Sequence, residues 1–101
     1  MKQYTDIIQT QKLMNMGFPS PQSISGSDSG VLTYDYSIGE LIGLLGKHLM
    51  DISSYRICNY PTTYRIKYRK VMNGSGWKEI QGELIDRLYD VCVELKAEGI
   101  I

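Results

Sequence analysis

The chain has 101 residues, of which 43% are hydrophobic, and its 11 Lys and Arg balance its 11 Asp and Glu to a formal net charge of +0. This length fits one domain, expected to span residues 1–101, and leaves no room for a second lobe. The composition excludes a disordered chain, and no stretch reaches the ~18 uncharged apolar residues of a membrane helix. The balanced charge also argues against a generally basic nucleic-acid binder.

The N-terminus and the cysteines indicate the compartment. Met1-Lys2 leads into polar sequence without the basic and apolar regions of a signal peptide, so we expect a cytoplasmic protein. Cys58 and Cys92 lie far apart in the sequence, and neither has a Cys or His at metal-ligand spacing. They are predicted to be reduced, partly buried thiols, and no metal site is expected.

A first helix is predicted from about Asp6 to Met16, with Thr5 or Asp6 as its cap. Its end is marked by Gly17, which can adopt the left-handed conformation, so that Phe18 can fold back onto Leu13. The apolar positions of this helix are Ile7, Ile8, Leu13 and Met14.

Residues 20–30 are rich in Ser, Gly and Pro, which predicts a flexible loop. The next segment, Val31–Tyr36, alternates with Leu32, Tyr34 and Tyr36 on one face, as is typical of a half-buried strand. A second helix is predicted to follow up to about Met50.

The second helix begins with a capping box formed by Ser37 and Glu40. Its predicted apolar stripe is Ile38, Leu41, Ile42, Leu45 and Leu49.

Two tyrosine-rich segments, Tyr55–Tyr60 and Tyr64–Val71, predict a β-hairpin around Pro61-Thr62. A register that places the apolar residues on one face pairs Tyr55 with Tyr68. The same register places on the other face the pairs Arg56–Lys67 and Cys58–Arg65. A turn at residues 73–76 and a short strand at about Trp77–Ile80 complete this region.

The last helix is predicted from about Gly82 to Glu98, with Gly99 as its C′ residue and Ile100 against Leu95. Its apolar stripe is Leu84, Ile85, Leu88, Val91, Cys92 and Leu95. The order of elements predicts an α+β domain, in which an antiparallel sheet of three or four strands carries helices packed on one face.

No catalytic motif emerges. His48, the single histidine, is expected near the C-terminal end of the second helix, and a nucleophile mechanism needs a base beside the nucleophile and an orienting third group. The Gly-containing segments at residues 26–30 and 73–76 lack the spacing of a phosphate loop. We therefore expect no enzymatic activity, no catalytic residues and no cofactor.

Charge is distributed unevenly along the chain. The predicted hairpin is basic, and the last helix carries acids every four residues, which indicates a solvated acidic face or an interaction surface. The basic face is typical of a strand edge protected from pairing, a protein contact or a nucleic-acid contact. The candidate interaction residues are Arg56, Arg65, Lys67, Arg69, Asp86, Asp90 and Glu94.

The segment Gly82–Ile101 resembles the ending of a group of small uncharacterised phage and prophage proteins of Bacteroides-type gut bacteria. The order of elements is also similar, including a first helix that ends around Thr10–Gly17 and a capped helix matched by Tyr36–Leu45. Gly46 departs from the pattern, because many members of the group have a helix-ending proline there. The resemblance implies a small cytoplasmic protein from a mobile element and carries no catalytic residues.

These observations together predict a non-enzymatic protein-interaction module of phage or mobile-element origin that modulates or inhibits a host protein. Its expected partner is a host protein or a second copy of the chain, and no membrane is involved. The alternative is an accessory protein that binds nucleic acid through the basic hairpin residues.

Overall fold

A computed structural model describes residues 2–56, 64–70 and 78–101 of the chain. Its helices and strands form a mixed α+β arrangement, which confirms the predicted class. In chain order the elements are α1 (Ile7–Asn15), β1 (Ser23–Asp28), β2 (Val31–Asp35), α2 (Ile38–Gly46), β3 (Leu49–Arg56), β4 (Tyr64–Lys70), β5 (Lys78–Gly82) and α3 (Leu84–Ala97). The strands form two separate antiparallel sheets, ordered β1-β2 and β3-β4-β5, where a single sheet was predicted.

The two ends of α1 form as predicted. Asp6 caps the helix, and its carboxylate and the Gln9 side chain each accept a hydrogen bond from the other residue's backbone N–H. At the other end Gly17 has a φ of 99°, and the Phe18 N–H donates to the Leu13 carbonyl at 3.1 Å. Together with the bond from the Gly17 N–H to the Met14 carbonyl at 3.1 Å, this bond forms a Schellman motif, which satisfies carbonyls left without partners at the helix end.

The predicted apolar face of α1 is wrong in part. Leu13 is fully buried, but Ile7 and Ile8 are 69% and 76% exposed, and Met14 is exposed as well. Thr10 is the other buried residue of this helix. The buried face of α1 is therefore narrow and partly polar.

The loop predicted at residues 20–30 is wrong for Ser23–Asp28, which is strand β1. A two-residue turn joins it to β2, with positive φ angles of 50° at Ser29 and 84° at Gly30. This is the backbone geometry of the tight turns that match the right-handed twist of paired strands. The β1–β2 hairpin is therefore a regular element, with one bulge between Ile24 and Gly26.

A buried polar cluster joins the β1–β2 hairpin to α1. Asp35, which is buried, accepts hydrogen bonds from the hydroxyl of Thr10 and, at 2.6 Å, from that of Ser25. The hydroxyls of Thr5 and Thr10 lie 2.7 Å apart, and the Tyr36 N–H donates to Thr5 Oγ1 at 3.1 Å. Because buried polar groups need partners, this cluster fixes the base of the hairpin against the helix.

The second helix has the predicted capping box between Ser37 and Glu40. It ends at Gly46 and does not continue to Met50. His48 follows in a turn, where its N–H donates to the Leu45 carbonyl at 3.0 Å. Because the helix stops early, Leu49–Arg56 forms strand β3.

The register of the β3–β4 pair differs from the predicted one by three residues. Tyr55 lies opposite Arg65, and Tyr68 lies opposite Ile52. The predicted pair of Tyr55 with Tyr68 is therefore wrong. Because neighbouring residues of a strand lie on opposite faces, a shift of three residues pairs each β3 residue with a β4 residue that was predicted to lie on the other face. The predicted turns at Pro61-Thr62 and at residues 73–76 lie outside the described residues.

The last helix is the most faithfully predicted element. All six residues of its predicted stripe are buried, and after its last residue, Ala97, Gly99 takes the predicted C′ position with a φ of 75°. The Ile100 N–H donates to the Leu95 carbonyl at 3.0 Å, as the predicted cap requires.

The core lies where α3 meets the other helices and the β3–β5 sheet, since α3 contacts β4, β5, α2 and α1. Its buried members are Leu13, Phe18, Tyr36, Leu41, Leu45, Leu49, Ile66, Tyr68, Leu84, Ile85, Leu88, Val91, Cys92 and Leu95.

Candidate interaction site

The basic residues of the predicted hairpin do not form the predicted cross-strand pairs. Arg56 aligns with Tyr64, so it is not opposite Lys67, and Arg65 aligns with Tyr55, so it is not opposite Cys58. Both predicted pairs are wrong, because the observed register differs from the predicted one by three residues.

Three of the basic residues do share one strand. Arg65, Lys67 and Arg69 occupy alternate positions of β4, which is the central strand of its sheet. Alternate positions of a strand lie on one face. In the register, however, Lys67 lies between Ser53 and Glu79, and Arg69 lies opposite Asp51. The neighbouring strands thus place carboxylate residues beside this basic row.

The three candidate acidic residues of α3 have partners within the chain. Asp86 accepts hydrogen bonds from Lys2 Nζ at 2.8 Å and from Gln9 Nε2 at 2.9 Å. Asp90 forms an ion pair with Arg87 at 3.1 Å, and Glu94 accepts a hydrogen bond from the Tyr68 hydroxyl. The predicted acidic ridge therefore has intramolecular contacts at all three of its candidate residues.

Lys2 and Asp86 stabilise each other's charged forms. Partial burial acts against both charges, but the hydrogen bond and the mutual attraction outweigh it, so the pKa of Lys2 lies above its ordinary value and the pKa of Asp86 below. The Lys2 N–H also donates to Glu83 Oε1 at 2.9 Å. These contacts attach the N-terminal segment to the start of α3.

Among the described residues, the exposed large apolar side chains lie on α1, on α2 and, as the largest group, on the β1–β2 hairpin. Ile24, Val31, Leu32 and Tyr34 are between 45% and 69% exposed. In the register Ile24 lies directly opposite Tyr34, and Leu32 is two residues from Tyr34, so these three share one face. We call Ile24, Leu32 and Tyr34 the hairpin face.

The residues of the hairpin face are more exposed than apolar residues of a strand usually are. A two-stranded hairpin is at best marginally stable alone, and strands usually pack one face against other elements. Here the only buried residue of β2 is Asp35, at its base. The face carries no charge, and Ser27, opposite Leu32, is also uncharged. The sequence predicted a half-buried β2, so this exposed surface was not expected. The dipeptide Ser29-Gly30 between two strand-like segments was the available signal for a hairpin.

Among the described residues, the remaining reactive side chains form no site, and Cys58 lies outside those residues. Cys92 is buried in α3 with a free thiol, and burial raises its pKa to about 12. His48 lies half-buried in the turn after α2. In the part of the chain that the structure describes, no group of three or more His, Cys, Asp and Glu residues is placed to hold a metal ion.

A shallow cleft lies beside α2. Its volume is about 290 Å³, and the buried ring of Tyr36 and the half-buried Leu44 contribute to its lining. Two charged residues of the helix, Glu40 and Lys47, also line it.

Comparisons with protein-family models, with curated proteins and with solved structures found no match to this chain. Among the described residues, no helix has the length and apolar content that crossing a membrane requires.

Proposed function

We propose that this chain is a non-enzymatic protein-interaction module of phage or mobile-element origin, and that it modulates or inhibits a host protein. The observation that carries the proposal is the exposed hairpin face of Ile24, Leu32 and Tyr34. Exposed apolar residues grouped on one surface are typical of protein contact sites. The candidate acids of α3 support the proposal less, because each already has a partner within the chain.

The partner that fits this face is a host protein with an apolar, uncharged contact surface. The hairpin face offers no charge to steer or orient a charged partner, so binding would depend on burial of apolar area. The tyrosine is suited to such a contact, since its ring buries a large area and its hydroxyl remains available for a hydrogen bond.

The experiment compares capture by the wild-type chain with capture by Leu32→Ser/Tyr34→Ser from a lysate of gut Bacteroides-type bacteria. The matched control is Ile8→Ser, which also removes an exposed apolar side chain, but from α1. We expect the same protein to be captured by the wild type and the control and lost with the hairpin variant. A folded hairpin variant that captures the same proteins as the wild type would overturn the proposal, as would a wild type that captures none.

A second candidate function is nucleic-acid binding, which is favoured by the row of Arg65, Lys67 and Arg69 on β4. Fluorescence anisotropy with short single- and double-stranded DNA at ~50 mM salt tests it, because phosphate contacts are strongest at low salt. Salt-sensitive binding that weakens in Lys67→Gln would support this function. Absence of binding at this salt concentration would exclude it.

A further inference from the structure

The cleft beside α2 is a second candidate site, and its lining contains none of the residues of the hairpin face. It lies between the helix and the segment around Pro19 and Gln22. Its volume of about 290 Å³ is near the lower limit for small-molecule pockets. The lining residues are Pro19, Ser20, Gln22, Tyr36, Glu40, Gly43, Leu44 and Lys47. This set combines an apolar lining with one acid and one base.

The carboxylate of Glu40 is fixed in place by hydrogen bonds. Its Oε1 accepts hydrogen bonds from the Ser37 N–H at 3.3 Å and from the Ser23 hydroxyl. Its Oε2 accepts one from the Gln22 N–H at 3.0 Å, and the backbone of Ser23 is a further donor to this carboxylate. The carboxylate would therefore act on a ligand through its negative charge. Burial raises the pKa of Glu40, but these hydrogen bonds outweigh it, so the group is ionised at neutral pH.

Gly43 opens the cleft at a cost to the helix. It lies in the interior of α2, where glycine is about 1 kcal/mol less favourable than alanine. A Cβ atom at this position would meet nothing within 4 Å, and its φ is not in the left-handed region. Neither packing nor backbone conformation therefore requires a glycine here. The missing side chain instead leaves open the space of the cleft that it lines.

Lys47 marks the other end of the cleft. It follows Glu40 by two helical turns, which places the two residues ~10 Å apart along the helix axis. Lys47 is exposed, so its ammonium group is accessible to a ligand. The half-buried Leu44 lies between the two charged residues on the same side of α2.

We propose that this cleft binds a short zwitterion. Its ammonium group lies against the negative charge of Glu40, its apolar body lies over Leu44 and Tyr36, and its carboxylate contacts Lys47. A single charged group would satisfy one end only, whereas an ammonium and a carboxylate separated by a short alkyl chain match both. Charge attraction at both ends then adds to the burial of the alkyl chain.

The test is an NMR titration of the full chain with 6-aminohexanoate, followed through its backbone amide signals. The matched probes are hexylamine, which lacks the carboxylate, and hexanoate, which lacks the ammonium group. We expect 6-aminohexanoate to shift the amides of Gln22, Glu40, Gly43, Leu44 and Lys47, and each matched probe to bind about tenfold more weakly. Equal or absent shifts with all three compounds would overturn the proposal.

Two glycine variants locate the binding. Gly43→Leu fills the cleft and raises helix propensity, so it is expected to stay folded and to lose binding by more than tenfold. Gly46→Leu is the matched control, because a side chain there also meets nothing within 4 Å but Gly46 does not line the cleft. Unchanged binding in folded Gly43→Leu would contradict the proposed location. In Lys47→Met we expect the preference for 6-aminohexanoate over hexylamine to disappear, and a retained preference would exclude the role given to Lys47.

Discussion

The Tyr68 hydroxyl, on the central strand of the β3–β5 sheet, donates a hydrogen bond to the carboxylate of Glu94 on α3. Tyr68 is otherwise buried in the core, so this bond connects the sheet to the helix at the edge of the apolar contact. Glu94 is also one of the candidate residues for binding a partner. Within the chain, this hydrogen bond links α3 to the sheet.

Replacing Tyr68 with Phe tests that role. The variant keeps the buried ring and removes the hydroxyl, so we expect the free energy of unfolding to fall by about 1 kcal/mol, the usual net value of one hydrogen bond. Urea denaturation measures the change. The control is Tyr34→Phe on the hairpin face, where the ring is 45% exposed and no loss is expected. Equal stability of Tyr68→Phe and the wild type would show that the bond contributes nothing.

Two buried tyrosines predict a loss of stability at high pH. Burial raises the pKa of Tyr36 to about 12, and burial together with Glu94 raises the pKa of Tyr68 further above its ordinary value of ~10. Folding thus favours the neutral phenols. Their contribution to stability is complete below pH ~10 and is lost as the pH rises through the folded-state values.

Absorbance and circular dichroism, recorded together during an alkaline titration, check this expectation. The chain has eight tyrosines, and we expect the last of them to ionise together with the loss of helical signal near pH 12 or above. Ionisation of all eight near pH 10 in a chain that is still folded would contradict the assigned burial.

The contact of Lys2 with Asp86 predicts acid sensitivity. Because Lys2 and Gln9 hold the pKa of Asp86 below its ordinary value, this contribution is complete above the unfolded-state pKa of ~3.9 and is lost as the pH falls through the lower folded-state value. Both side chains are about one-third exposed. Asp86→Asn is therefore expected to cost only about 0.5–1 kcal/mol at pH 7 and less at pH 3, which lies below the unfolded-state pKa.

Urea denaturation of Asp86→Asn at the two pH values provides the measurement. Asp90→Asn is the control, since it breaks a more exposed pair of neighbours within α3 and is expected to cost less. A penalty for Asp86→Asn that stays constant from pH 7 to pH 3 would rule out the ionic contribution.

The turn of the β1–β2 hairpin gives a fourth prediction. Gly30 has a φ of 84°, which costs a residue with a side chain about 1–2 kcal/mol, so Gly30→Ala should weaken the hairpin by that amount. Amide hydrogen exchange of residues 23–35 reports the change locally. The control Gly26→Ala has no left-handed φ and no atoms within 4 Å of the added carbon, so faster exchange there as well would argue against the turn as the cause.

Helices with both a long apolar stripe and a terminal glycine were predictable from sequence. The stripe of α3 repeats over its whole length, and Gly99 and Gly17 end their helices through local backbone geometry. Such signals depend on neighbours in the chain. These signals therefore do not depend on how the rest of the chain folds.

The hairpin face and the β3–β4 register depend on distant contacts, and sequence analysis did not find them. Val31–Tyr36 alternates as a half-buried strand does, but among the described residues its sheet contains only β1 and β2, and Leu32 and Tyr34 stay exposed. The predicted register placed the apolar residues of the two strands on one face, and the observed pairing differs from it by three residues. The start of β3 was missed because Leu49 continues the apolar stripe of α2, although the helix ends at Gly46. Local periodicity cannot decide between a last helical turn and a first strand residue.

We propose that the β1–β2 hairpin is the contact surface of this protein. Amide hydrogen exchange of the full chain, alone and bound to the host protein that it captures, measures this contact. We predict slower exchange on binding, centred on residues 23–35. Protection confined to β4 or α3, with unchanged exchange in the hairpin, would contradict the claim.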